Sequence, residues 1–189
     1  TKAYTTQLVC MYLIALFMGR AKGTLDDATY GHVLDELLAI PEKLQEVLAQ
    51  EGSIEEIAKQ IYRSTSVFFI GRGPDASVAF EGSLKLKEIS YINSFAVAAG
   101  ELKHGTIALV EQGTIVIALA TQERLFEKML SNIQEVKARG ARVLGICKSG
   151  NCGMEQQAEW TIALPACIDD VAPLLSVVRA VDAAAVVSP

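Results

Sequence analysis

The chain has 189 residues, 51% of them hydrophobic, and a formal net charge of −5. That length suits one domain plus a substantial helical extension, with enough apolar residues for a well-filled core. An acidic balance without any run of Lys or Arg excludes the usual footing for nucleic acid or an anionic membrane surface.

The chain begins at Thr1 without a methionine and with a helix already under way, so it is expected to be a piece of a longer protein. Thr1 to Lys22 reads as a strongly apolar helix ended by Gly23. Its run from Leu8 to Met18 is shorter than the roughly 20 residues a membrane span requires, and no signal peptide is expected. The apolar positions surround the axis rather than stripe it, which fits either a core helix or one clamped in a dimer or interdomain contact. A second helix is expected from Asp26 to Ile40. Pro41 then interrupts and opens a third, Glu42 to Gln50. Ser53-Ile54-Glu55-Glu56 is a capping-box pattern for a helix ending near Arg63. His32, alone among these helices, reads as a surface or packing residue rather than a ligand.

From Ser66 the pattern changes to alternating strands and helices. Strands are expected at Ser66–Gly71, Thr114–Ala120, Arg142–Cys147 and Thr161–Leu164, with a further short one near Ser94–Val97. Helices are expected at Asp75–Tyr91, Glu123–Arg139 and Val171–Val187. Crossovers of this length imply an α/β fold, a parallel sheet flanked by helices and preceded by an N-terminal helical segment. The division expected is a helical linker or interface segment over 1–52 and the α/β domain over 53–189. The four cysteines, Cys10, Cys147, Cys152 and Cys167, lack C-x-x-C spacing and a nearby histidine. They read as reduced thiols of a cytoplasmic protein, with no metal and no cofactor called for.

The stretch from Ser66 to Gly105 carries the ionisable residues that matter. A buried strand, Val67-Phe68-Phe69-Ile70, runs into Gly71-Arg72-Gly73-Pro74-Asp75 and then a helix, half of a βαβ unit. Ligands of open α/β sheets sit outside the carboxyl ends of the strands, so the chemistry is expected near this turn. The turn itself is a poor phosphate cradle: it matches neither a dinucleotide nor a Walker pattern, and Asp75 would repel an anion. Along the helix, Glu81, Lys85 and Glu88 stand at i, i+4 and i+7, which puts two carboxylates and an ammonium on one face. His104 follows, between Lys103 and Gly105. A carboxylate, a cation and a histidine suit proton transfer beside a carbonyl. Taken alone, each also reads as an ordinary surface group.

Two motifs go further. FEGSLKLKEISYI (Phe80 to Ile92) and AAGELKHG (Ala98 to Gly105), with TKAYTTQ at the start, resemble the isomerase half of the glutamine–fructose-6-phosphate aminotransferases, the glucosamine-6-phosphate synthases. The resemblance runs over most of the chain. It implies a sugar-isomerase (SIS), flavodoxin-like domain whose C-terminal end is incomplete here, and a sugar-phosphate substrate, fructose 6-phosphate or glucosamine 6-phosphate. It implies that Glu88 is the base moving a proton between C1 and C2 of the open-chain sugar. Lys85 would be its electrostatic partner, keeping Glu88 charged and stabilising the enediolate oxygen. His104 would help open the sugar ring from across a homodimer interface, a task that suits a group titrating near neutrality. Glu81 would at most position Lys85, and a surface ion pair remains its plainer reading.

The family's phosphate grip comes from Ser/Thr-rich loops of a preceding isomerase domain, of which Thr1 is at most the last residue. Neither that domain, nor the glutaminase domain, nor the tail lysine that forms a Schiff base has a match here, and the sequence departs from the pattern after Val178. Two rivals stay open: a related deglycase or ketose-phosphate isomerase using the same residues, and a non-catalytic sugar-phosphate sensor.

Overall fold

The apolar run at Val67–Ile70 alternates between two layers, and the rest of the fold follows from it. In the computed structural model, which describes residues 2–49, 51–62 and 64–185, this run forms β1 (Ser66–Gly71) in the interior of a five-stranded, all-parallel sheet. Val67 and Phe69 join one buried layer, and Phe68 and Ile70 the other. Burial on both faces explains why the strand reads as a continuous apolar run rather than an alternating one. Each such side chain contributes about 1.5–3 kcal/mol by leaving water.

The other strands are β2 (Asn93–Ala98), β3 (Ile115–Ala120), β4 (Arg142–Lys148) and β5 (Trp160–Leu164), in the order β2-β1-β3-β4-β5. This is the flavodoxin-like doubly wound order, whose switch point lies between β1 and β3. β3 repeats the two-layer pattern: Ile115, Ile117 and Leu119 face one core, and Val116, Ala118 and Ala120 the other.

Helix α4 (Pro74–Ser90) crosses from β1 to β2, and α7 (Ala172–Ala185) packs beside it. Gly82 is where the fit is tightest. A Cβ there would lie 2.8 Å from the Phe69 ring and 3.1 Å from Ala180 on α7. The first layer is completed by α1 (Lys2–Ala21), α2 (Asp27–Leu48) and α3 (Glu51–Ile61). On the opposite face lie α5 (Phe126–Lys137) and the short α6 (Cys152–Gln157). With them is a six-residue 3-10 helix, Ala99–His104, which follows β2.

Three expectations are corrected. Pro41 does not separate two helices; α2 runs through it from Asp27 to Leu48. Proline removes one backbone donor, yet Ile40 and Val47 on either side of it bury in the same core, and that packing holds the helix together. The helix expected to start at Ser53 starts at Glu51. The long helix expected from Glu123 opens with a 3-10 turn, Glu123–Leu125, before α5. The expected C-terminal helix agrees over Ala172–Ala185, and its last two residues lie outside the described ones. Among the described residues no helix is long and apolar enough to cross a membrane.

Candidate active site

Helix α4 starts immediately beyond β1 because Gly71 permits it. A Cβ on Gly71 would sit 2.5 Å from the Asp75 backbone, and Gly73 adopts φ +57 just before the N-terminal Pro74. The inner face of α4, through Val78, Ala79, Gly82, Ser83 and Leu86, is buried. Ser83 and the β2 residue Ser94 pair in the interior, with hydroxyl oxygens 2.9 Å apart.

The outer face carries the expected trio. Lys85 Nζ donates to Glu88 Oε2 at 2.6 Å and stands 3.9 Å from Glu81 Oε1. The bond to Glu88 raises the Lys85 pKa. Glu88 is half exposed (51% of its side chain), so it is open to a ligand. Glu81 is more enclosed than a surface ion pair would be, at 13%. Tyr4 of α1 lies close to it: burial, and then the charge of Glu81, raise the Tyr4 hydroxyl.

The trio is not where the strand-end rule put it. A helix that crosses between parallel strands runs back along them. Glu88 is in its last turn, about 20 Å along the axis from Asp75 at 1.5 Å per residue. That places Glu88 toward the amino end of the sheet, where Ser66 pairs with Asn93. The carboxyl ends of β3 and β4 are already occupied by the protein itself. Asp75, buried at the switch point, accepts from the backbone N–H and the hydroxyl of Thr121, at 2.7 and 2.6 Å. Burial raises its pKa against the pull of those bonds.

Beside it Lys148, whose side chain is 5% exposed, donates to Glu123 Oε1 (2.6 Å), Asp169 Oδ1 (2.7 Å) and the Cys167 carbonyl (3.0 Å). Gln122 Nε2 donates to the Asp169 carbonyl at 3.0 Å. Sequence reasoning missed this knot. Its one signal was a lysine closing an otherwise apolar strand.

His104 ends the 3-10 helix that follows the carboxyl end of β2. Its side chain is 74% exposed, and its nearest carboxylate is Glu101 at 4.0 Å. Glu81, Lys85 and Glu88 are therefore brought together, and His104 stands at the opposite end of the sheet from Glu88. Thr1 lies outside the described residues. A cavity of about 440 Å³ lies between α1, α2 and Pro74. Its lining is mostly apolar and includes none of the trio nor His104.

A parallel sheet in the order β2-β1-β3-β4-β5, with a carboxylate–lysine pair on its first crossover helix and a histidine after its edge strand, defines a doubly wound α/β domain. The family model described as the SIS domain matches residues 60–184, and the chain belongs to that family. Among known proteins it is 53% identical over 178 residues to a glutamine–fructose-6-phosphate aminotransferase (isomerizing) of Caldanaerobacter subterraneus. That alignment takes in 94% of this chain. It is 49% identical to the enzyme of the same name from Clostridium acetobutylicum, over 95% of its length. The chain spans 29% of the length of both relatives. A solved structure, the C-terminal domain of glucosamine-fructose-6-phosphate aminotransferase from Francisella tularensis, superposes with a TM-score of 0.92 at 32% identity. That match covers 99% of this chain and 53% of the other.

Proposed function

We propose that the chain is an isomerase domain of a glutamine–fructose-6-phosphate aminotransferase, a cytoplasmic homodimer in which it works with a preceding isomerase domain and a glutaminase domain. The whole protein would make glucosamine 6-phosphate from fructose 6-phosphate and glutamine-derived ammonia, for amino-sugar synthesis. The proposed division of this chain is a helical segment over 1–52 and the isomerase domain from 53 onward. The observation that carries the reading is the Lys85–Glu88 pair, held at 2.6 Å on a face that remains open to a ligand.

Glu88 takes the proton from one of the two carbons at the carbonyl and returns it to the other. The neighbouring Lys85 ammonium meets the negative charge that develops on the C2 carbonyl oxygen, and the proton of the C1 hydroxyl passes to that oxygen as the carbonyl moves to C1. His104 serves a neighbouring copy, exchanging a proton with the ring oxygen or hydroxyl as the sugar opens. The position of His104 at the far end of the sheet from its own Glu88 supports supply in trans. The phosphate is held elsewhere, since the strand ends of this domain are committed to Asp75–Thr121 and Lys148–Asp169 contacts.

The test is Glu88→Gln in the full-length protein. It keeps shape and hydrogen bonding but removes the base, so isomerisation should fall roughly 10²–10⁴-fold while sugar-phosphate affinity stays near normal. Undiminished turnover would place the base on another residue.

A further inference from the structure

His104 is held in place chiefly by its backbone, because the ion pair of its side chain among the described residues is a long one, to Glu101 at 4.0 Å. Its backbone belongs to a 3-10 helix of six residues, a form with poor hydrogen-bond geometry that does not persist by itself. One side of that helix is secured by Ala99 and Leu102, both buried in the layer that contains Met129 and Ile133 of α5. The other side meets a chain of polar contacts. Arg72, in the turn after β1, donates from Nε to Asn132 Oδ1 at 2.8 Å. Asn132 is 4% exposed on α5 and donates from Nδ2 to Glu135 Oε2 at 3.3 Å. Glu135 Oε1 in turn accepts from Lys103 at 2.8 Å. Lys103 is the residue before His104, and the Arg72 guanidinium lies against Gly100, where a Cβ would touch it at 3.6–3.8 Å.

From this geometry we infer that Arg72, Asn132 and Glu135 form a clasp fixing the Ala99–His104 helix, and that they are positioning residues for His104. The inference rests on the proposed role of His104. Together with Lys128 and Ser131 these residues line a cleft of about 240 Å³, and those that reach the 3-10 helix across it are tied to one another. Both ends of the Asn132 amide are used, and Lys103 is neutralised by Glu135. A buried amide with both ends satisfied favours one arrangement of its neighbours, because any other leaves a donor or acceptor stranded.

The test is a double-mutant cycle in the full-length protein. Arg72→Lys keeps the charge and removes the Nε donor; Asn132→Leu removes both amide bonds at similar volume. Either should lower kcat roughly tenfold to a hundredfold with little change in KM, the usual cost of misplacing a catalytic group by about 1 Å. In a His104→Ala background the same changes should cost less than about twofold, because there is no imidazole left to misplace. Equal losses in both backgrounds, or no loss in either, would overturn the clasp.

If His104→Ala itself leaves turnover intact, the reading of His104 fails, and amide hydrogen exchange then judges the clasp separately. Asn132→Leu should speed exchange across residues 100–104 and leave β1 and β3 unchanged. Unaltered exchange there would overturn it too.

Discussion

Two clusters of charge sit at opposite ends of the same sheet, and they are built to opposite specifications. At the carboxyl end, Lys148 is enclosed and bonded to two carboxylates and a carbonyl, while Asp75 is sealed against Thr121. On α4, Lys85 has one close carboxylate and one distant, and Glu88 is half exposed. The first arrangement leaves little for a ligand to gain, and its charges contribute to stability. The second leaves a carboxylate to be used, at small cost to the fold, since exposed pairs are worth only about 0–1 kcal/mol. A buried, fully bonded charge cluster therefore points to structure, and a partly satisfied one on an accessible face points to chemistry.

The sharpest way to break this contrast is Lys148→Met, which keeps the aliphatic stem and removes the ammonium. It should destabilise the fold by about 2–3 kcal/mol, the worth of hydrogen bonds to charged groups. At roughly 2–4 °C per kcal/mol for a chain of this size, thermal unfolding should shift downward by several degrees. The pH dependence supplies a signature. Burial alone would raise Asp169, but Lys148 and the Glu123 backbone hold it below its ordinary range. A carboxylate with a depressed folded pKa contributes stability that is fully present above its unfolded value and is lost as pH falls through the folded one. Asp75 has the opposite sign: its raised pKa means that its burden is relieved as pH falls through the folded value. Lys148→Met should thus weaken the loss of stability on acidification, read from denaturant midpoints as pH falls from about 5 toward about 2. An unchanged acid profile would show that the knot is not tuned as its geometry suggests.

Lys85→Met gives the smallest expected change in stability, within about 0.5 kcal/mol by denaturant titration. It should nevertheless impair isomerisation in the full-length protein. A large loss of stability would mean that α4 needs this pair to fold, and the contrast between the two ends would fail.

Much of this fold was legible in the sequence. The inner strands β1, β3 and β4 announced themselves as short apolar runs, because strands buried on both faces have nothing to alternate with. The edge strand β2, only partly buried, was marked instead by Asn93-Ser94 ending the preceding helix. The i, i+4, i+7 spacing of Glu81, Lys85 and Glu88 was equally readable, since it follows from helix geometry alone. What escaped were relations between distant segments. Lys148 and Asp169 are separated by 20 intervening residues and Arg72 and Asn132 by 59, and only strand order and helix docking bring them together. Pro41 misled for a related reason: local chemistry argued for a break, and tertiary packing of Ile40 and Val47 prevailed. The direction of α4, which carries Glu88 away from the strand-end turn, was implicit in its length. It was obscured by the general rule that ligands gather at carboxyl ends.

Because Glu88 and His104 lie toward opposite ends of one sheet, a site shared between two copies obeys a counting rule. Consider a Glu88→Gln chain and a His104→Ala chain, each inactive with itself. In a mixed pair, one site inherits both defects and the other inherits neither. Random re-pairing of equal amounts makes half the dimers mixed, so about a quarter of the unsubstituted protein's activity should return from two inactive parents. A site contained within one chain would return none.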